Sequence, residues 1–369
     1  MAQPLNILLF TPWHPNKTNP TLGNFILRQA EMLRADHQVF ILALTANGPS
    51  HSPDLDYVEG PHHIHCYVKS EFPWAWFSYH KTIKKLLKEL KGFKPDVIHG
   101  QIAHASGYTL WLLQRHFKVP VVCSEHWSGY LPERQAKLRL VNRIHLFFAK
   151  KAVRMFLPVT QQLGEAMQNK LGLITWKVWR NPVNTQLFYP QNTKQYDFIH
   201  LSTLDENKNP KGILRAFVRL LNEFPHATLS IGGDGPLLDL QKEIENHNLS
   251  HNTVFLHGAL PYQQAAERIR NARCLVQFSH YENLPCTIGE ALQAGLYIIS
   301  SRVGGIAEVV SPPANGLLVE AVNEDALYLA MKTFLQNQPK PYSQQLPFDP
   351  VTLRLEINQV YRNLLFKSH

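Results

Sequence analysis

Two carboxylates, Glu282 and Glu290, stand eight positions apart in HYENLPCTIGEALQAGLYIISSRVGGIAEVV (280–310). Pro285 lies between them, and Gly295 and the pair Gly304–Gly305 lie beyond. If both were helical, the two would be separated by ~12 Å along the axis. Paired catalytic carboxylates working on one glycosidic bond sit roughly 5–9.5 Å apart. The spacing is therefore poor for shared acid/base work and better suited to holding two ends of one extended ligand. Pro285 suits the first turn of a helix, where its missing N–H leaves nothing unsatisfied. Ile288, Ala291 and Leu292 form the inward stripe, and Gly295 stops the helix. Glu282 then lies on the loop ahead of the helix and Glu290 inside it. The amides near Leu284–Thr287 form an anion site at the helix start. The competing reading is a capped surface helix carrying ordinary glutamates.

LSTLDENKNPKGILRAFVRLL (201–221) poses a similar question. Asn209 can cap a helix and Pro210 can take its first position. Ile213, Leu214, Phe217, Leu220 and Leu221 give the buried stripe. Lys208 is left at the mouth of the loop beside a positive helix end, where it can neutralise a phosphate as a point charge; the alternative is a solvated lysine. IGGDGPLL (231–238) is a glycine-rich turn without the Gly-Lys-Ser/Thr of a phosphate-binding loop, and as a dinucleotide fingerprint it is weak. In the first half, PWHPNKTNPTLGNF (12–25) brings Gly23 to the front of the helical run FILRQAEML, and SEHWSGY (124–130) holds His126, either a structural histidine or a ligand contact. Asp54 and Asp56 in PDLDY read as surface residues, and serine hydrolase, zinc and kinase signatures are missing.

These residues need a scaffold. Short apolar runs alternate with helix-period segments. NILLFTP (6–12), HQVFILAL (37–44), DVIHG (96–100), PVVCSEH (120–126) and MFLPVT (155–160) form one series of predicted strands. YDFIHLST (196–203), ATLSIGG (227–233), VFLHG (254–258), CLVQFS (274–279) and LYIISS (296–301) form a second. Such alternation means parallel sheets covered on both faces, and two series mean two doubly wound domains. The polar, proline-bearing segment 181–195 marks the boundary, giving domains 1–182 and 183–350. The detached helical pattern VTLRLEINQVYRNLL leaves 351–369 as a C-terminal helix expected to cross back onto the first domain. Open parallel sheets bind ligands beyond the carboxyl ends of their strands, so the residues just after each strand carry the interest.

Bulk properties agree with an α/β protein of two domains. The chain has 369 residues, 44% hydrophobic and 18% charged, with a formal net charge of +9 that suits an anionic partner. No run reaches ~18 consecutive apolar residues, so no membrane span is expected. The N-terminus looks like a first strand and not a signal peptide. The four cysteines, Cys66, Cys123, Cys274 and Cys286, show no paired spacing, which suits a reducing cytoplasm and argues against a zinc site. Two basic, apolar stretches, 74–94 and 138–156, fit either helices packed on the sheet with snorkelling lysines or segments lying on an acidic lipid surface. The first also predicts loose attachment to the inner membrane face. Nucleic acid is not expected, since no recognition module is present.

The chain resembles glycosyltransferase family 4, the retaining, nucleotide-sugar-dependent enzymes of the GT-B fold, built of two doubly wound Rossmann-like domains facing across a cleft. The resemblance rests on YENLPCTIGEALQAGLYIISSRVGGIAEVV, similar to a Glu–seven residues–Glu motif followed by a Gly-Gly-x-x-Glu turn. RNPVNTQLF, LDENKNPKGILRAF, IGGDGP and NGLLVE fall in family order. It implies that Glu290 binds the ribose of the nucleotide and that Glu282 lies near the transferred sugar. Asn283, Leu284, Pro285, Cys286 and Thr287 would touch donor, Lys208 would pair with the diphosphate, Gly23 would bring its backbone against the phosphate, and His126 would face donor sugar and acceptor. His126, Glu282 and Lys208 are thus the implied catalytic residues. Where the family usually has an arginine five residues before the lysine, this chain has Thr203; Arg180, Lys211 and Arg302 are candidate substitutes. The implied reaction moves a hexosyl group to a hydroxyl acceptor, a sugar or lipid-linked sugar, without metal or other cofactor, in bacterial surface polysaccharide or glycolipid synthesis. The rivals are a nucleotide-sugar epimerase of similar shape and a non-catalytic sugar- or lipid-binding module.

Overall fold

The computed structural model describes residues 3–15, 21–46, 63–68, 92–134, 137–172, 174–320, 323–340 and 346–366, with a few positions between 82 and 90. The Asp54–Asp56 pair and most of the basic stretch 74–94 lie outside the described residues. The chain divides into two compact units, residues 1–182 joined by 351–369, and residues 183–350.

The first unit is built on six parallel strands: β1 (Asn6–Thr11), β2 (Gln38–Ala46), β3 (His63–Val68), β4 (Val97–Gln101), β5 (Val121–Glu125) and β6 (Val153–Pro158). They run in the order β3-β2-β1-β4-β5-β6. The helices described in full between these strands and after them are α1 (Asn24–Arg34), α2 (Ala103–Phe117), α3 (Leu140–Ala152) and α4 (Gln161–Leu171). Burial on both faces explains why these strands are continuous apolar runs and not alternating ones; five of the six residues of NILLFT are buried.

The second unit repeats the plan. Strands β7 (Tyr196–Ser202), β8 (Leu229–Gly233), β9 (Val254–His257), β10 (Ala272–Gln277), β11 (Tyr297–Ser301) and β12 (Gly316–Val319) are ordered β12-β11-β10-β7-β8-β9, again all parallel. Helices α5 (Pro210–Leu221), α6 (Leu238–Asn246), α7 (Tyr262–Arg270), α8 (Cys286–Gln293) and α9 (Glu324–Asn337) cover it. One apolar cluster packs Ile213, Leu214, Phe217 and Leu220 of α5 with Phe334 of α9 on one face. A second packs Ile288, Ala291 and Leu292 of α8 on the other. Both sheets carry the 3-2-1-4-5-6 order of dinucleotide-binding folds, so each has a switch point where the order reverses, β1/β4 in the first and β7/β10 in the second.

Two strands escaped the sequence reading, β3 and β12. Both are outermost in their sheets, where one flank needs no apolar partner. HIHCYV therefore hides in a histidine-rich segment, and GLLV is only four residues long.

The last helix, α10 (Pro350–Phe366), belongs to the first unit. Leu353, Ile357, Val360 and Tyr361 join a core with Ile7, Leu9 and Trp179. Polar contacts fix its register. The Trp179 indole donates to the Leu353 carbonyl at 3.0 Å, the Tyr361 hydroxyl meets His99 Nδ1 at 2.6 Å, and Asn358 meets His37 Nε2 at 2.6 Å.

Candidate functional site

In the second unit the loops leaving β7 and β10, the two strands of the switch point, are stitched together by Asn207. Its carbonyl accepts from the His280 amide at 2.9 Å, its side-chain Nδ2 donates to the Tyr281 carbonyl at 3.1 Å, and its Oδ1 accepts from the Tyr281 amide at 3.0 Å. These bonds seat Lys208 against Glu282, and the ammonium is ion-paired with the carboxylate. Asp205 sets the lysine backbone, its Oδ1 accepting from the Lys208 amide at 3.0 Å. Leu204 and Asn209 both take left-handed backbone angles, φ 52° and 49°, which L-residues adopt at a cost. The short loop is thus held in an unfavourable shape by its contacts, as happens at functional sites.

The helix α8 begins at Cys286, one residue later than the sequence suggested. Pro285 is its extended N-cap (φ −59°, ψ 131°) and not a residue of the first turn, and its carbonyl accepts from the Ile288 amide at 3.1 Å. Gly295 (φ 76°) ends the helix. Glu282 is buried ahead of the helix and Glu290 is buried within it, where the Tyr262 hydroxyl donates to Glu290 Oε1 at 3.1 Å. Thr287 Oγ1 accepts from Gln277 at 2.9 Å. Asn283 is buried, and its carbonyl accepts from the Gly305 amide at 2.9 Å. Gly304 has φ 54°, and a Cβ there would lie 2.1 Å from the Glu282 carbonyl oxygen. The glycine pair after β11 therefore exists so that its turn can press on the backbone of 282–283. The glycines of IGGDGP do the same for β7: a Cβ on Gly233 would lie 1.7 Å from the Ser202 carbonyl oxygen.

Thr203, in the place of the family's arginine, hydrogen-bonds Asp205 Oδ2 at 2.8 Å. Of the three candidate substitutes, Lys211 is ion-paired with Asp239 at 2.8 Å and Arg302 with Glu320 at 2.7 Å, so both are engaged away from Lys208. Arg180 falls in the first unit.

The first unit places Gly23 and His126 at the carboxyl edge of its own sheet. Gly23 caps α1 with φ 72°, and a Cβ on it would meet the Trp13 carbonyl oxygen at 2.6 Å. Only glycine lets the helix start lie this close to the loop after β1. His126 follows β5 and lies against the Phe25 ring, 4.3 Å between centroids. Its Nε2 meets Gln101 Oε1 at 3.1 Å. Gln101 Nε2 donates to Gln29 Oε1 at 2.9 Å, and Gln29 Nε2 donates to Asn181 Oδ1 at 2.8 Å. This row of amides leaves Gln101 only an acceptor to offer, so the proton of the neutral imidazole is on Nε2. Burial, aided by His99, holds the His126 pKa down to about 3, so the ring is neutral at ordinary pH.

Glu125, beside it, is fully buried. Its carboxylate accepts from the amides of Ala103, His126 and Trp127 at 2.9, 2.9 and 3.0 Å and from the Tyr130 hydroxyl at 3.3 Å. Burial pushes its pKa up to about 7 against those four donors. The carboxylate locks the loop after β5 to the start of α2, where buried Ile102 carries φ 60°.

Of the residues singled out from sequence, Lys208 and Glu282 are brought into contact, Glu290 lies on the helix that follows with 283–287 at its start, and Gly23 and His126 lie in the first unit. Sequence reasoning missed Asn207, Glu125, Tyr262 and the Gln29–Gln101–Asn181 row. SEHW carried Glu125 in plain view next to His126. The amides had no signal, since their partners are 72 and 152 residues distant in sequence.

Comparison with known proteins supports the same fold. The family described as Glycosyltransferase Family 4 matches residues 22–187, and that described as Glycosyl transferases group 1 matches residues 187–345. An uncharacterised glycosyltransferase of Methanocaldococcus jannaschii is 28% identical over 270 residues. The match covers 67% of this chain and 66% of that protein, just under two thirds of the relative's length. Among solved structures, sucrose-phosphate synthase from Thermosynechococcus elongatus superposes with a TM-score of 0.74 at 19% identity, over 99% of this chain and all of that one. HepE from Anabaena, solved with UDP-glucose, gives 0.71 at 16%, over 97% and all. With two adjoining family matches from 22 to 345 on a GT-B scaffold, the chain belongs to the glycosyltransferases of family 4 and group 1.

Proposed function

We propose that this glycosyltransferase is a retaining enzyme that moves a hexosyl group from a nucleotide-sugar donor to a hydroxyl acceptor. The acceptor is a sugar or lipid-linked sugar, in bacterial surface polysaccharide or glycolipid synthesis on the cytoplasmic side of a membrane. The observation that carries the reading is the Lys208–Glu282 pair at the β7/β10 switch point, with Glu290 buried on the helix that follows. Binding of UDP-glucose by the similarly folded HepE supports a nucleotide-sugar donor.

In this scheme the diphosphate lies at the start of α8, where the first-turn amides and the helix dipole favour negative charge. Lys208 leaves Glu282 for the phosphate. The ammonium exchanges one anionic partner for another, so it is not left as an unpaired buried charge. Glu290 accepts from the ribose hydroxyls, with Tyr262 keeping its carboxylate aimed. As the glycosidic bond breaks, charge grows on the diphosphate and Lys208 stabilises it, a role worth roughly 10²–10³ in turnover for a single well-placed donor. Glu282, released from the lysine, stands near the developing oxocarbenium charge. Neutral His126 contacts the donor sugar and acceptor. Charge neutralisation by lysine and amides leaves no step that requires a metal.

The test is a thermal-shift screen of nucleotide sugars followed by kinetics of Lys208→Ala and Glu290→Ala on the donor that stabilises. Turnover per KM should fall at least about a hundredfold in each. Wild-type kinetics in both would overturn the assignment, and donor consumed without acceptor would mark an epimerase.

A further inference from the structure

The basic stretch 138–156, for which the sequence left open a helix packed on the sheet or a segment lying on an acidic lipid surface, is packed on one side only. Helix α3 turns His145, Leu146 and Ala149 inward. It lies tightly on α2, where a Cβ on Gly107 would meet the His145 carbonyl oxygen at 1.9 Å. Its opposite face is apolar and open. Leu140 is 71% exposed and Phe147 54%, with Val141 beside them. Leu140 and Phe147 are seven residues apart and so lie on one line along the helix. Arg139 and Arg143 flank this line, and Lys151 sits over the Phe147 ring with its ammonium 4.3 Å from the centroid. No acidic residue occurs between Glu133 and Glu165.

Charge is distributed to match. The first unit carries 25 lysines and arginines against 12 aspartates and glutamates, the second 12 against 16, so formal charges of +13 and −4 add to the +9 of the chain. We infer that the outer face of α3 docks on an anionic lipid surface, with Leu140 and Phe147 entering the headgroup boundary and Arg139, Arg143 and Lys151 contacting lipid phosphates. An apolar line bordered by cations is the pattern of helices that lie in a membrane interface. A second copy of the chain is a poorer occupant, since a two-fold contact on this face would oppose the same cations. The inference deepens the membrane side of the function proposed above by naming the surface that makes the contact.

Sedimentation with vesicles tests it, using full-length protein and vesicles of phosphatidylcholine alone or with about a third phosphatidylglycerol. The wild type should bind the anionic vesicles and not the neutral ones, and should release as salt is raised. Each basic side chain near such a surface raises partition about five-fold, so Arg143→Glu with Lys151→Glu should lower it at least about 25-fold. Phe147→Ser with Leu140→Ser should abolish binding at physiological salt. Both variants should keep the wild-type thermal transition, because the substituted side chains face outward. No vesicle binding by the wild type, binding that both variants retain, or lipid-free self-association that disappears in Phe147→Ser would each overturn the inference. Vesicle binding needs no sugar donor, so its failure and that of the transfer reading are distinguishable.

Discussion

At the scale of single residues, the chemistry proposed above would depend on side chains held in place by their neighbours. His126 is the clearest case. Its proton sits on Nε2 because Gln101 turns a carbonyl towards it, and Gln101 does so because its amide nitrogen is committed to Gln29. Gln101→Leu removes the acceptor and leaves a buried donor unmatched, a loss of about 1–3 kcal/mol in stability. It should lower kcat about tenfold with little change in KM. Gln101→Glu restores an acceptor and adds a negative charge, which raises the imidazole pKa. Its activity should recover in part but fall on the acid side at a higher pH than in the wild type. A pH profile that stays unchanged in Gln101→Glu would show that the row of amides only fills space.

At the scale of elements, the same device recurs: loops after adjacent strands are bound to one another, and glycine appears where two backbones must nearly touch. Asn207, Gly233 and Gly304 together fix the loop that carries Lys208 and the one that carries Glu282. Helix α10 plays the corresponding part for the first unit. It covers Trp179 and ties His99, itself linked to Ser124 at the end of β5 at 2.8 Å. Ending the chain at Asp349 would uncover that core, leave the Trp179 indole without its acceptor and remove Tyr361 from His99 Nδ1. The first unit should then unfold at least ~10 °C lower while the second keeps its transition, a difference visible by calorimetry with two resolved peaks. An unchanged first transition would mean that the helix is an accessory.

At the scale of the whole molecule, the two units differ in charge and in titration. Burial holds His65, His99 and His126 to a pKa of about 3, and His63, His104 and His145 to about 4, all in the first unit; the second has His200 at about 4. Below pH 6.5 the unfolded chain takes protons that these folded rings refuse. Their contribution is therefore complete above about pH 6.5 and is lost as pH falls towards 4. Glu125, raised to about 7, acts in the opposite direction over about 4.5–7 but offsets only one histidine. The melting temperature of the first unit should drop by at least ~5 °C between pH 7 and pH 5, and that of the second by less. A second unit that melts first on acidification would contradict this.

The sequence by itself determined the fold class. Buried parallel strands must be continuous apolar runs, and the helices between them must show one apolar stripe, so ten of the strands and the boundary near 182 could be read from periodicity and turn chemistry alone. It also determined the helix carrying Glu290 and the loop carrying Lys208, because caps, prolines and glycines act within a few residues of themselves. What only the tertiary structure decided are contacts made across sequence distance. Lys208 meets Glu282 from 74 residues away, and the amides behind His126 converge from the end of a strand, a helix and a loop. The outward face of α3 belongs to the same class: the stretch reads as basic and apolar with no single apolar stripe, and only packing on α2 decides which apolar residues remain in water. Local physics fixes which residues can form an element. Which side chains face one another depends on how the elements are layered, and no local pattern encodes that.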